Sequence, residues 1–128
     1  SPGLAPNGIH IDDEEGNLIV GSWGAVMEGW GTPELKGSLK SINIHTKEMK
    51  NLGKKPIGNL DGIEPDGKGS YFVTDWTGAK LYNINKKGKF KVIAEVGKGA
   101  ADHEVILDKN LIIIPVMAEG KVIALKVK

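Results

Sequence analysis

The residues of this chain that could do chemistry are oxygen donors placed beside glycine at matching positions. Asn7 opens an Asn-Gly-Ile at 7–9, Asp61 opens an Asp-Gly-Ile at 61–63, and Asp102 follows 41 residues later. An amide oxygen and carboxylates that converge on one point suit a hard divalent cation such as Ca²⁺ or Mg²⁺, and suit Zn²⁺ less well. The chain contains no cysteine, which excludes disulfides and thiolate metal sites.

The same residues have a simpler interpretation as turn caps. Asn and Asp beside glycine bond the neighbouring backbone through their side chains. Asp102 also has a competitor, because aligning Glu64 with Glu104 without gaps puts Ala101 opposite Asp61. Aligning the later segments of the two units puts Asp102 there instead. Both alternatives stay open at this stage.

A threefold repeat sets where these residues lie. Residues 6–23, 60–76 and 101–117 resemble one another, and Trp23 matches Trp76. Trp23 and Trp76 are 53 residues apart, whereas the Asn-Ile pairs at 43–44 and 83–84 are only 40 residues apart. The first unit therefore carries an insertion of about 13 residues between Trp23 and Ser38. The underlying period is about 40, which is typical of four-stranded propeller blades.

Within each unit, short β-branched and aromatic runs alternate with Asp-Gly and Lys-Gly turns, which favours antiparallel hairpins. The segment 35–52 also has apolar residues at helical spacing, but Gly37 and its β-branched residues favour strands. The continuous run 111–114 predicts a strand buried on both faces. The predicted strands are 8–11, 17–23, 39–45 and 49–52; 62–65, 70–76, 80–85 and 89–96; and 104–107, 111–117 and 122–127.

These patterns predict an all-β fold, a β-propeller with three blades of the four-stranded type. Residues 1–128 would form a single half-propeller domain, half of a six-bladed ring. The blades would span about 6–54, 58–97 and 100–128, and the last would be incomplete because it has only three strands.

The motifs PNGI…GNLIVGSWG, GNLDGIEPDGKGSYFVTDWTGAKLYNI and ADHEVILDKNLIIIPVMAEGKVIALK resemble the last three blades of the SMP-30/gluconolactonase-like six-bladed propellers. The resemblance covers nearly the whole chain. It implies that Asn7 and Asp61 hold a divalent metal, and that the third ligand, a Glu, comes from a first blade this chain lacks. It further implies a metal-dependent lactonase in which Asp61 is also the catalytic base and the metal polarises the lactone carbonyl.

Propeller geometry places further residues near this site. Connections alternate between the two ends of a blade, so the ends of second strands share a face with the starts of first strands. Substrate-binding candidates are therefore Trp23, Asp75 and Trp76 at those ends, Trp30 in the insertion, and His103 beside Asp102.

Three functions compete on this evidence. The first is a metal-dependent lactone or ester hydrolase, or half of one. The second is a non-enzymatic propeller that binds a small ligand or a protein through the Trp30 insertion. The third is an inactive fragment or engineered half-propeller that self-assembles.

Three blades would leave apolar end faces, which predicts assembly into a homodimer or with a complementary N-terminal half. The net charge of +1 argues against nucleic-acid or anionic-membrane partners. No apolar run approaches the roughly 20 residues that span a bilayer, and no targeting segment is evident in the chain.

Overall fold

Alternating apolar and polar runs between glycine-containing turns fold into β-strands throughout the part of the chain that the structure describes. This structure is a computed structural model, and it describes residues 5–12, 16–25 and 35–127. In those ranges eleven strands form, together with two single 3₁₀ turns at Leu107–Lys109 and Met117–Glu119. The strands are β1 (Pro6–Asp12), β2 (Asn17–Ser22), β3 (Leu39–Asn43), β4 (Met49–Leu52), β5 (Leu60–Pro65), β6 (Tyr71–Asp75), β7 (Lys80–Ile84), β8 (Phe90–Glu95), β9 (Glu104–Ile106), β10 (Leu111–Val116) and β11 (Lys121–Lys126).

Consecutive strands pair antiparallel and form three separate sheets, one for each unit of the repeat. Sheet 1 contains β1–β4, sheet 2 contains β5–β8, and sheet 3 contains β9–β11. The turns follow the residue types. Asp66, for example, accepts hydrogen bonds from the backbone N–H groups of Lys68 and Ser70 at 2.7 and 3.0 Å, an Asx-type cap of the β5–β6 turn.

Sheet 2 lies between the other two sheets and packs against both. One of its faces, with Val73 and Ile84, shares a buried cluster with Ile19 and Leu39 of sheet 1. Its opposite face shares a second cluster with sheet 3, the buried members of which are Phe72, Leu81, Val96, Ala100, Ile112, Ile114 and Val116. Among the described residues, both buried apolar clusters therefore lie between sheets that are neighbours in the chain.

The predicted strands are confirmed to within about two residues at their ends. Segment 35–52 forms strands β3 and β4 rather than a helix. The run 111–114 differs from expectation. Ile112 and Ile114 are fully buried, whereas Leu111 and Ile113 are only half-buried, because no further sheet of the described chain covers the outer face of sheet 3.

Two further expectations concern the insertion and the membrane. Trp30, with most of the insertion, lies outside the described residues. In the described part of the chain, no helix is long and apolar enough to cross a bilayer.

Candidate functional site

Asn7 and Asp61 come together where two sheets meet. Each lies at an irregularity of its strand: the β1–β2 register shifts between Pro6 and Ile9, and the β5–β6 register shifts between Leu60 and Ile63. Bulges of this kind turn a side chain out of the regular alternation. The Asn7 Nδ2 atom donates to Asp61 Oδ2 at 3.2 Å and to the Leu60 carbonyl at 3.3 Å. Residues 54 positions apart are thus in direct contact.

The glycine that follows each residue allows the sheets to approach this closely. A Cβ atom on Gly8 would collide with the carbonyl oxygen of Asp61, and one on Gly62 would lie 2.7 Å from the Cα atom of Asp102. Gly62 therefore meets Asp102 much as Gly8 meets Asp61. Ala101 instead is buried, and its carbonyl accepts a hydrogen bond from Thr74 at 2.9 Å. The equivalent of Asp61 in the third unit is accordingly Asp102.

Asp61 and Asp102 form a local concentration of negative charge. Burial raises the pKa of Asp61, and the nearby charge of Asp102 raises it further, while the hydrogen bond from Asn7 acts in the opposite direction. Burial also raises the pKa of Glu64, with added repulsion from Glu104 and Asp102. Carboxylates arranged this way gain from any cation that enters among them.

His103 lies beside this group but is buried. His103 is 4% exposed, and neither ring nitrogen makes a hydrogen bond of normal geometry with the described residues. Burial lowers the pKa of His103 to about 4, although the charge of Asp102 and the backbone of Phe72 favour protonation. Its Nδ1 atom lies 2.7 Å from where a Cβ on Gly62 would stand. His103 is therefore a neutral imidazole under the site at neutral pH.

The predicted residues at the ends of the second strands divide into two kinds. Trp23 and Trp76 lie side by side, with ring centroids 6.3 Å apart. Asp75 is 2% exposed, and its hydrogen bonds to described residues all come from the second unit of the repeat. It accepts from the backbone N–H groups of Asn59 and Gly78, each at 3.0 Å, and from the Tyr82 hydroxyl at 3.1 Å. These bonds favour a structural role for Asp75, whereas Trp23 is itself buried, at 8% exposed, and Trp76 is half-buried.

Two buried polar residues that sequence reasoning missed hold the sheets in register at this end. Asn59 donates to the Trp23 carbonyl at 2.7 Å, which ties sheet 2 to sheet 1, and accepts from the Thr77 hydroxyl. Thr74 accepts from the Gly62 N–H and donates to the Ala101 carbonyl, both at 2.9 Å, which ties sheet 2 to sheet 3. Neither residue has a counterpart of the same type in the other units, so the repeat gave no signal for them.

The available donors match a cation only in part. Within the described ranges, no group of three or more His, Cys, Asp or Glu side chains is arranged to hold a metal ion. A cation at this point would therefore rely on the Asn7 amide oxygen as well as on the carboxylates of Asp61 and Asp102. All of these are hard oxygen ligands, the type that Ca²⁺ and Mg²⁺ take.

Comparison with known proteins finds distant likenesses among solved structures. No family model and no curated protein matches the chain. Among solved structures, it resembles a catalytically inactive variant of virginiamycin B lyase from Staphylococcus aureus, solved with quinupristin, at 15% identity and a TM-score of 0.43. The match covers 99% of this chain and 57% of the other, so the chain spans little more than half the length of that protein. At such low sequence identity and TM-score, the likeness supports no inference about the activity of this chain.

Proposed function

We propose that the three sheets are blades of half a propeller of the SMP-30/gluconolactonase-like type, and that the chain is half of a metal-dependent lactone hydrolase. The observation that carries the proposal is the direct contact of Asn7 with Asp61 across two sheets, with Asp102 next to it. Both contacts depend on strand irregularities and on glycines, features that a purely turn-capping role for these side chains does not require.

The residues divide the chemistry of hydrolysis between them. Asn7, Asp61 and Asp102 would hold a Ca²⁺ or Mg²⁺ ion, which supplies Lewis acidity that polarises the lactone carbonyl. Asp61 accepts a proton as water adds to the carbonyl carbon, and the ring C–O bond then breaks. The departing alcohol oxygen takes the proton back from Asp61. Burial and the charge of Asp102, which raise the pKa of Asp61, make it a better base for this step.

Calorimetry with CaCl₂ and MgCl₂, followed by hydrolysis of an aldonolactone with the same ions, tests the proposal. Asp61→Asn removes one anionic ligand and the base, so we expect metal affinity to fall roughly 10- to 100-fold and hydrolysis to stop. Asp108→Asn is the matched control, because Asp108 is an exposed carboxylate in the turn that leaves the opposite end of β9. Equal metal binding by wild type and Asp61→Asn, or no binding by wild type, would refute the metal site.

A non-enzymatic ligand-binding propeller is the second candidate. It is favoured by the lack of three clustered His, Cys, Asp or Glu side chains among the described residues. In that function Trp76 would stack on a ligand at the same end of the sheets, with the buried Trp23 packed beside it and Trp30 contributing. Metal binding without lactone hydrolysis, together with loss of ligand binding in Trp30→Ala, is the result that selects it.

We further propose that the half-propeller is completed by a second copy of the chain, or by a complementary half. The outer face of sheet 1 exposes Ile9, Ile11 and Met49, at 58, 58 and 38%. The outer face of sheet 3 exposes Val122 at 68% beside half-buried Ile113. Apolar faces of this kind support an interface.

A further inference from the structure

The outer edge of sheet 3 differs from the outer edges of the other two sheets. Sheets 1 and 2 each end on a fourth strand, β4 and β8, whereas sheet 3 ends on its third strand, β11. In the ranges that the structure describes, no strand pairs with the far side of β11. By the repeat, β11 corresponds to β7, with Lys121 matching Lys80, and β7 pairs with β8. The position beside β11 is therefore the one that β8 occupies in sheet 2.

The backbone of β11 presents hydrogen-bonding groups at this edge. Pro115 lies opposite Val122 and has no N–H group, and its carbonyl accepts from the N–H of Ala101 on the other side of β10. The N–H and C=O groups of Val122 therefore point away from β10. Because the direction alternates along an antiparallel pair, the backbone groups of Ala124 and Lys126 point outwards as well.

This edge has little of the protection that edge strands usually carry. Lysines within a strand discourage a further strand from pairing with it. β4 has Lys50 at an internal position and β8 has Lys91, whereas the charges of β11 are Lys121 and Lys126 at its two ends. The four residues between them, 122–125, are uncharged. The edge of β11 is therefore more open to strand addition than the edges of β4 and β8.

The pairing of β7 with β8 indicates which side chains an added strand needs. Opposite the β7 residues Lys80, Tyr82 and Ile84 lie, in that order, Glu95, Val92 and Phe90 of β8. The corresponding residues of β11 are Lys121, Ile123 and Leu125. Ile123 and Leu125 are half-buried and pack against the cluster between sheets 2 and 3. An added strand therefore needs apolar side chains opposite these two residues and a carboxylate opposite Lys121.

The charges at the ends of β11 argue against a second copy of the same strand as the occupant. Any antiparallel register that overlaps two copies of β11 fully brings Lys121 of one copy close to Lys126 of the other at both ends, where like charges repel. A strand with a carboxylate there is attracted instead. The ion pair that Lys121 already makes with Glu119, at 3.5 Å between half-exposed side chains, is of the weak kind and does not prevent this.

We propose that β11 binds an extended segment of another polypeptide, which becomes an antiparallel fourth strand of sheet 3. The segment carries apolar side chains that face Ile123 and Leu125, and an acidic residue opposite Lys121. Main-chain hydrogen bonds to Val122 and Ala124 supply affinity, and the side chains select the partner. The proposal concerns the edge of the sheet and not its faces, and it is independent of the hydrolase because it uses no residue of the Asn7–Asp61 contact.

A fluorescently labelled peptide with the sequence of residues 88–97, the segment that contains β8, is the probe for this edge. We expect saturable binding to the full chain in fluorescence anisotropy. On binding, hydrogen exchange should slow at the backbone amides of Val122, Ala124 and Lys126, because these groups gain partners only when the strand is added.

Proline substitutions test whether the backbone carries the binding. Lys91 and Ala94 of the peptide would lie opposite Ala124 and Val122, so a peptide with Lys91→Pro and Ala94→Pro loses two N–H donors and should not bind. In the chain, Ala124→Pro removes an outward N–H, which an edge strand tolerates, and should weaken binding about tenfold. If Ala124→Pro does not fold, the proline peptide still gives the answer.

A charge exchange tests the acidic residue. Lys121→Glu in the chain should weaken the peptide about two- to fivefold, the size usual for exposed ion pairs, and a peptide with Glu95→Lys should recover that loss. Lys109→Glu is the matched control, because Lys109 is an exposed lysine in the turn after β9, at the other end of sheet 3. It should leave peptide affinity unchanged.

The proposal is overturned by an absence of saturable binding, by equal binding of the proline peptide, or by protection of amides in another strand instead of β11. A dimer of the chain alone that Ala124→Pro disrupts would show that a second copy occupies the edge, and would overturn it too. Asp61→Asn should leave peptide affinity unchanged, so failure here is distinguishable from failure of the hydrolase.

Discussion

Burial changes the chemistry of His103. Its ring lies under Asp102 and makes no hydrogen bond of normal geometry with the described residues, so a positive charge there would be poorly solvated despite the nearby carboxylate. The same burial that suppresses protonation of His103 raises the pKa of Asp61 a short distance away. Asp61 and His103 are thus both shifted towards their neutral forms. A cation bound beside Asp61 would favour the charged form of the carboxylates but not of His103.

Protonation of His103 should destabilise the fold in acid. The pKa of His103 is about 4 in the folded chain against an ordinary value of 6.5, so the unfolded chain binds the extra proton between those values. The stability that comes from burying the neutral ring is complete above pH 6.5 and is lost as the pH falls to about 4. Over that window we expect a loss of up to about 3 kcal/mol in the free energy of unfolding.

Urea unfolding of wild type and His103→Gln at several pH values measures this effect. Because Gln does not titrate, the difference in unfolding free energy between the two proteins should shrink as the pH falls from 6.5 to 4. His45→Gln, at an exposed turn, is the control for loss of an imidazole. A difference that stays constant across the window would mean that His103 is not buried as a neutral ring.

At the scale of elements, irregularities in β1 and β5, the first strands of sheets 1 and 2, bring the site together. In regular strands the side chains at 7 and 61 would follow the alternation of their sheets. The register shifts at both positions, together with Gly8 and Gly62, instead let the inner strands touch and turn Asn7 towards Asp61. Thr74 and Asn59 then hold the sheets at that spacing with buried hydrogen bonds.

Gly8→Ala should therefore separate sheet 1 from sheet 2. The added methyl group would meet the backbone carbonyl of Asp61, which cannot move without breaking the strand. We expect a loss of about 1–3 kcal/mol in the free energy of unfolding, the usual cost of overpacking, and weaker metal binding.

Gly120→Asn is the comparison variant. Gly120 has a left-handed φ of 62° that Asn tolerates, and a Cβ there meets nothing within 4 Å. If Gly8→Ala proves as stable as Gly120→Asn, the close approach of the two sheets is not needed for folding.

At the scale of the whole molecule, the two end faces are complementary in kind. By the repeat, half-buried Leu18 on the outer face of sheet 1 corresponds to Tyr71, which faces sheet 1 from sheet 2. Ile113 on the outer face of sheet 3 corresponds to Phe72, which faces sheet 3. Sheet 3 of one copy could thus pack on sheet 1 of another in the way that neighbouring sheets pack within the chain, head to tail.

Light scattering after size exclusion should accordingly give twice the 13.7 kDa mass of one chain. Ile113→Asp places a charge in the proposed interface and should shift the protein to monomer. Val92→Asp, at a more exposed position of sheet 2 (50%) outside the proposed interface, should leave the mass unchanged. A monodisperse wild-type monomer would exclude the closed two-copy ring.

The strands and much of the site could be predicted because their signals are local. The alternation of apolar residues and the Asp-Gly turns depend on neighbours in the chain. Together with the 40-residue repeat, they placed β1–β11 to within about two residues. Spacing also singled out Asn7, Asp61 and Asp102. It could not choose between Ala101 and Asp102, since that choice depends on which residue meets Gly62 across the gap between two sheets.

By itself, the amino-acid sequence determined the β-strands, their grouping in threes and fours, and the oxygen donors at the start of each unit. Only the tertiary structure decided that Asn7 bonds Asp61, that Asp75 accepts hydrogen bonds from its own unit of the repeat, and that His103 is buried as a neutral ring. The reason is physical: strand formation depends on residues a few positions apart, whereas burial, desolvation and hydrogen bonds between sheets depend on residues that only folding brings together.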